Sequence, residues 1–176
     1  MRRRHNGMRP QDLVVLLKII ILDNKDWQLK DLANSLYISP SEISESLDRS
    51  QYAGLIDYSK RRVNKLNFLD FLLYGMKYVF PCMPGIPTRG IPTAHSHPYM
   101  NTLINSDQPY VWPTPDGIHM GQAIDPFYPN QIKAVIDDDT LYKTLALLDV
   151  IRVGRVREIQ FAVKELKNTM EDVRAY

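Results

Sequence analysis

Leu32-Ala33-Asn34-Ser35-Leu36-Tyr37-Ile38-Ser39-Pro40-Ser41-Glu42-Ile43-Ser44-Glu45-Ser46-Leu47 is the stretch whose reading decides the fold. Leu32, Ala33 and Leu36 share one face of a short helix, and Ile43 and Leu47 lie four apart on the next, so both sets can enter one core. Between them stands a strong helix start. Ser39 can cap, Pro40 takes the first helical position where its missing N–H costs nothing, and Glu42 is placed to close a capping box. After Ala53, Gly54 suits the left-handed residue that ends a helix, and Leu55-Ile56 begin a strand. A fixed turn between two helices holds the second proud of the surface, where its outer face can enter a major groove.

Outward from this centre, the stretch from Pro10 to Arg62 is similar to a winged helix-turn-helix, and that likeness implies a supporting helix (Gln11–Leu22), a first helix of the reading unit (Leu29–Leu36), a recognition helix (Pro40–Ala53) and a β-hairpin wing of Ile56-Asp57-Tyr58 with Val63-Asn64. These residues resemble the winged helix-turn-helix of bacterial regulators, with the MarR-like reader head as nearest comparison. The resemblance covers about residues 10–65. It implies double-stranded DNA as partner, with Ser41, Ser44, Glu45 and Arg49 of the recognition helix set toward base edges or phosphates. Lys60, Arg61 and Arg62 of the hairpin wing would lie along the backbone. Two features run against the pattern. The recognition helix carries Glu42, Glu45 and Asp48 against one arginine, and the wing is short. Winged helices also bind proteins.

The 176 residues are 44% hydrophobic and 24% charged, ordinary for a globular chain that buries one substantial core or two small ones. Apolar runs stop far short of a membrane span, Met1-Arg2-Arg3-Arg4 leads into polar residues, and Cys82 is the one cysteine. The expectation is a cytoplasmic protein with no disulfide within the chain. The net charge of +2 is uneven: residues 1–65 hold 12 Lys/Arg against 8 Asp/Glu, residues 66–129 hold 2 against 4, and residues 130–176 hold 8 against 8. Positive charge gathers on the segment resembling a DNA reader. Arg2-Arg3-Arg4 reads either as an arm for the minor groove or as a solvated start to the chain.

Beyond residue 65 the expected architecture remains mainly α, with a second region, 66–176, for dimerisation or partner binding. Leu66–Phe80 is apolar on nearly every side, with Asn64 as cap and Pro81 as stop, so it should be covered all round. It reads as a central core helix, a homodimer helix, or both. Residues 81–129 hold ten of the twelve prolines and half the glycines, and no regular period survives there. Their many apolar residues favour an extended, ordered wrap with a short helix or turn near Pro98–Asn105. Asn130–Ile136, Thr140–Val153 and Arg155–Met170 then read as helices, the last two joined at Gly154.

Chemistry is sparse. His95 and His97, with His119 and Cys82, have zinc-ligand types without a zinc spacing, and loop-bonding histidines are the simpler reading. Thr88-Arg89-Gly90 and Thr93-Ala94-His95-Ser96 could offer hydroxyls and an arginine to an anion, and a ligand pocket between the wrap and the helices is the less favoured reading. No phosphate loop or nucleophile elbow is present, and no cofactor or enzymatic activity is expected. Around Gly154, Asp149 and Arg152 are spaced to pair across one turn. The competing function is a protein-interaction module, similar in outline to the type IV antitoxins, whose C-terminal region binds a partner.

Overall fold

In the computed structural model, residues 7–23, 26–104 and 106–172 are described, with side chains to residue 170. The chain is mainly helical. The order is α1 (Pro10–Leu22), α2 (Leu29–Leu36), α3 (Pro40–Tyr52), α4 (Lys65–Asp70), a π turn (Phe71–Gly75) and α5 (Met76–Val79). There follow β1 (Pro87–Pro92), a 3-10 turn (Ala94–Ser96), α6 (Pro98–Asn101), β2 (Tyr110–Pro113), β3 (His119–Ala123), α7 (Gln131–Val135), α8 (Asp139–Val153) and α9 (Val156–Asp172). Arg2-Arg3-Arg4 lies outside the described residues. Among the described residues no helix is long and apolar enough to cross a membrane.

α1 is the axis of the molecule. Leu13 to Leu17, Ile19 and Ile20 are buried on every side of it, because α2 and α3 pack on one flank and α8 on another. A helix this apolar is stable only where other elements surround it. One hydrophobic core runs continuously from α1–α3 through Phe68, Leu72 and Met76 to α8 and α9, across the boundary expected at residue 65. Polar ties cross it as well. Lys18 on α1 pairs with Asp138 at 2.6 Å, the Tyr128 hydroxyl donates to the Leu36 carbonyl at 2.8 Å, and Asn130 donates to the Tyr37 carbonyl at 3.0 Å. The last two satisfy acceptors at the C-terminal end of α2, which a helix leaves without partners of its own.

Residues 81–129 depart from the expectation of a wrap without strands. β1 pairs antiparallel with β2 through its second half and with β3 through its first, while β2 and β3 meet in parallel at Tyr110–Gln122 and Val111–Ala123. The three short strands thus close on one another and leave no long open edge. Glycine permits it. A Cβ at Gly90 would stand 2.1 Å from the Trp112 carbonyl oxygen, and one at Gly117 would stand 2.4 Å from the Gly90 Cα. The prolines do not forbid these strands because the strands are short, with Pro87, Pro92 and Pro113 at their ends. The expected short helix is present as α6.

The sheet is pinned to α8 by Asp149. This fully buried carboxylate accepts from the Thr93 hydroxyl at 2.8 Å and the Trp112 indole at 2.6 Å, with Arg152 at 3.6 Å. Burial pushes its pKa up to about 6, against the opposing pull of Arg152 and both hydrogen bonds. Gly154 joins α8 to α9 where a Cβ would stand 2.4 Å from the Val150 carbonyl oxygen.

The central helix is not covered all round. Phe68, Leu72 and Met76 are fully buried, but Leu66, Tyr74 and Tyr78 are 70–73% exposed. The chain folds back on one side of this helix only, with α8 against α5. Asn64, expected to cap it, instead donates its amide to the Gly54 carbonyl at 2.9 Å.

Candidate nucleic-acid interface

α2 ends on Tyr37 in the left-handed region (φ 53°), Ile38 turns into the core, and Ser39 accepts the Glu42 amide at 3.2 Å to open α3 on Pro40. This fixes the angle between the helices. Ile43, Ser46, Leu47 and Ser50 then point inward. The opposite stripe, Ser41, Glu45, Asp48 and Tyr52, is open to solvent, with Ser44 half-buried beside it. Gly54, at φ +74°, supplies the left-handed step that turns the chain after α3.

Arg49 is the main correction to the sequence reading. It faces the interior, 7% exposed, and donates Nε and an Nη to the two oxygens of Asp12 at 2.9 and 2.8 Å. The same side chain donates to Glu42 at 2.9 Å and lies 3.6 Å from Glu45. Hydrogen bonding to Asp12 raises its pKa above the ordinary arginine value, more than burial lowers it. A guanidinium this deeply buried is held there because a bidentate carboxylate compensates its lost hydration. It cannot contact bases from that position. Glu42 is corrected too. It closes no capping box, and its Oε1 gathers Arg9, Gln11 and Arg49 at 3.0, 2.6 and 2.9 Å.

The hairpin wing is reduced to one bridge, Ile56–Val63. Its turn is organised by Asp57, which accepts from the Ser59 hydroxyl at 2.6 Å and from the amides of Arg61 and Arg62 at 2.8 and 3.1 Å. Burial works to raise the Asp57 pKa, but those hydrogen bonds hold it below the usual carboxylate range. Lys60 takes a left-handed backbone (φ 58°) and pairs with Asp48, tying the turn to the outer face of α3. Arg61 lies 4.6 Å over the Trp27 ring and donates to the Trp27 carbonyl. Arg62 is exposed, within Coulombic reach of Asp57.

Of the seven residues expected to meet DNA, Ser41 and Glu45 lie on the exposed side of α3 with Ser44 bordering them, Lys60 is tied to that side through Asp48, Arg61 and Arg62 are exposed on the turn with Arg61 against Trp27, and Arg49 lies beneath. The residues missed from sequence are those that shape this face: Asp12, Asp57 and Trp27. A carboxylate at position 12, immediately before the apolar run Leu13–Leu17, was the available signal for a buried partner.

The other constellations disperse. His95 lies on the 3-10 turn and His97 follows it as the N-cap of α6, so the two do not share one side of a strand. His95 Nε2 is 2.7 Å from the Gln108 carbonyl with its ring against Tyr110, and His97 Nδ1 accepts the Tyr99 amide. Burial, aided by Lys143, pushes His97 down to about 4. His119 is exposed on β3, and among the described residues no three His, Cys, Asp or Glu side chains gather as a metal site. Thr93 and Ser96 are engaged internally, with Asp149 and the Tyr110 amide, and so do not turn together toward an anion. An open groove of about 780 Å³ lies along the strands beside α6, lined by Ile91, Pro98, Tyr110, His119 and Met120 among others, with Tyr142 of α8 at its edge. Comparison with known proteins yields no match for this chain, whether by family model, curated protein or solved structure.

Proposed function

We propose that residues 10–65 form a winged helix-turn-helix reader and that the protein is a DNA-binding transcriptional regulator acting in the cytoplasm. The observation that carries this reading is the open polar face of α3 with a basic turn tied beside it through the Lys60–Asp48 pair. Ser41, Ser44 and Glu45 would address base edges, Glu45 as an acceptor for a cytosine amino group. Lys60 and Arg62 would take phosphates, with Arg61 oriented by Trp27. On binding, Lys60 would exchange Asp48 for phosphate, leaving Asp48 to be solvated.

The experiment is fluorescence anisotropy with labelled genomic fragments across a salt series. The expected result is binding that weakens steeply with salt, with Arg62→Ala reducing the salt slope by about 1. No binding at low salt overturns the reading. A second reading, a protein-interaction module, is favoured by one observation: the exposed stripe of α3 shows Glu45 and Asp48 while its arginine is buried. A partner protein that co-purifies stoichiometrically through α3 and excludes DNA would establish that alternative.

A further inference from the structure

The central helix carries two stripes at intervals of four residues. Phe68, Leu72 and Met76 form the inner one and are fully buried, while Leu66, Asp70, Tyr74 and Tyr78 form the outer one. In a straight α-helix a four-residue interval drifts by about 40° per step, so the three steps of the outer stripe would swing it by about 120°. The π turn at Phe71–Gly75 takes in an extra residue and brings the drift back. Gly75 makes room for it, since a Cβ there would stand 2.9 Å from the Phe71 ring.

The outer stripe is apolar and uncovered. Leu66, Tyr74, Tyr78 and Val79 are 70, 73, 73 and 53% exposed, and Met83 and Ile86, on the segment leaving the helix, are 86 and 82% exposed. At roughly 150–250 Å² for a large side chain, the helix alone offers on the order of 500 Å². With Met83 and Ile86 the total is on the order of 800 Å², the share each partner contributes to a standard interface. Isolated exposed apolar residues need no explanation, but a stripe of this size does. Its charges have opposite sign at opposite ends: Asp70 is exposed before Tyr74, and Lys77 lies after it, 5.0 Å from the Tyr78 ring.

We propose that this face is the interface between two copies of the chain, crossing antiparallel about Tyr74 so that Asp70 of each meets Lys77 of the other. A two-fold interface must complement itself, and Asp70 and Lys77 on either side of Tyr74 let this stripe do so in charge. The inference stands apart from the DNA reading and survives its failure.

Sedimentation equilibrium on the full chain tests it. The expected result at roughly 100 µM is a mass twice 20.4 kDa. Tyr74→Asp should sediment as a monomer while keeping its helical circular dichroism and melting cooperatively. Asp70→Lys alone and Lys77→Asp alone should each weaken the dimer on the order of tenfold, and the two together should restore it. The charge exchange carries the test even if Tyr74→Asp fails to fold. A wild-type chain that remains monomeric overturns the proposal, including one that floats with phosphatidylcholine vesicles instead. A Tyr74→Asp chain that still dimerises, or a double exchange that does not rescue, overturns it too.

Discussion

α1 and the central helix at residues 65–79 are alike in sequence and opposite in situation. Both are apolar around most of their circumference, yet α1 is enclosed by α2, α3 and α8, while the central helix is fully buried at Phe68, Leu72 and Met76, half-covered at Leu69, Phe71 and Leu73, and exposed at Leu66, Tyr74 and Tyr78. Composition therefore states only that cover is needed. Where the chain supplies it, as over α1, the helix is internal structure; where the chain does not, the remaining stripe is a surface that something else must meet. Position along the chain does not separate the two cases, because α8, which covers α1, lies far from it in sequence.

Four measurements would break or sharpen this contrast. The largest effect is expected at the buried ion pair between α1 and α3. Arg49→Ala leaves Asp12 buried without its partner and should cost about 3–5 kcal/mol in urea unfolding. The double replacement Asp12→Leu/Arg49→Met should recover most of that loss; a single variant of wild-type stability would show that the pair is not buried as described. Next, Leu16→Ala on α1 should cost about 2–5 kcal/mol, the range for a fully enclosed leucine.

The third concerns the contact that holds the sheet to α8. Asp149, with its pKa raised to about 6, contributes stability that is fully present below the unfolded value near 3.8 and is lost as pH rises through about 6. His97, lowered to about 4, works the other way: its contribution is present above about 6.5 and is lost as pH falls through about 4. The two oppose each other between pH 4 and 6.5, so the wild-type profile should be shallow there. Thermal melts of Asp149→Asn should show stability rising with pH across this window, and those of His97→Gln should show it falling. Parallel profiles for both variants would contradict the assignment. The smallest effect belongs to the uncovered stripe: under monomeric conditions Tyr74→Ala should change stability by no more than about 0.5 kcal/mol. A loss comparable to that of Leu16→Ala would mean that the stripe is core after all.

Local signals were legible and long-range ones were not. Ser39, Pro40 and Gly54 mark the start and the turn after α3, and α2 spans Leu29–Leu36 as its apolar spacing indicated. The strands were hidden because Gly90 and the flanking prolines look like loop residues. They make sense only once Gly90 is seen lodged between Pro113 and His119, whose positions in sequence reveal nothing of their meeting. The site was half legible for the same reason. The basic run Lys60–Arg62 and the polar positions of α3 could be read off directly. The inward turn of Arg49 depends on Asp12, on another helix, and the reach of Arg61 depends on Trp27.

The tie between Lys18 and Asp138 spans 120 positions. During translation, the helix that shields the far flank of α1 is made roughly ten seconds after α1 itself. For that interval the apolar flank of α1 that meets α8 is bare. The same separation means that the N-terminal third is no detachable cassette: shuffled onto another body, it would arrive with its axis unsheathed.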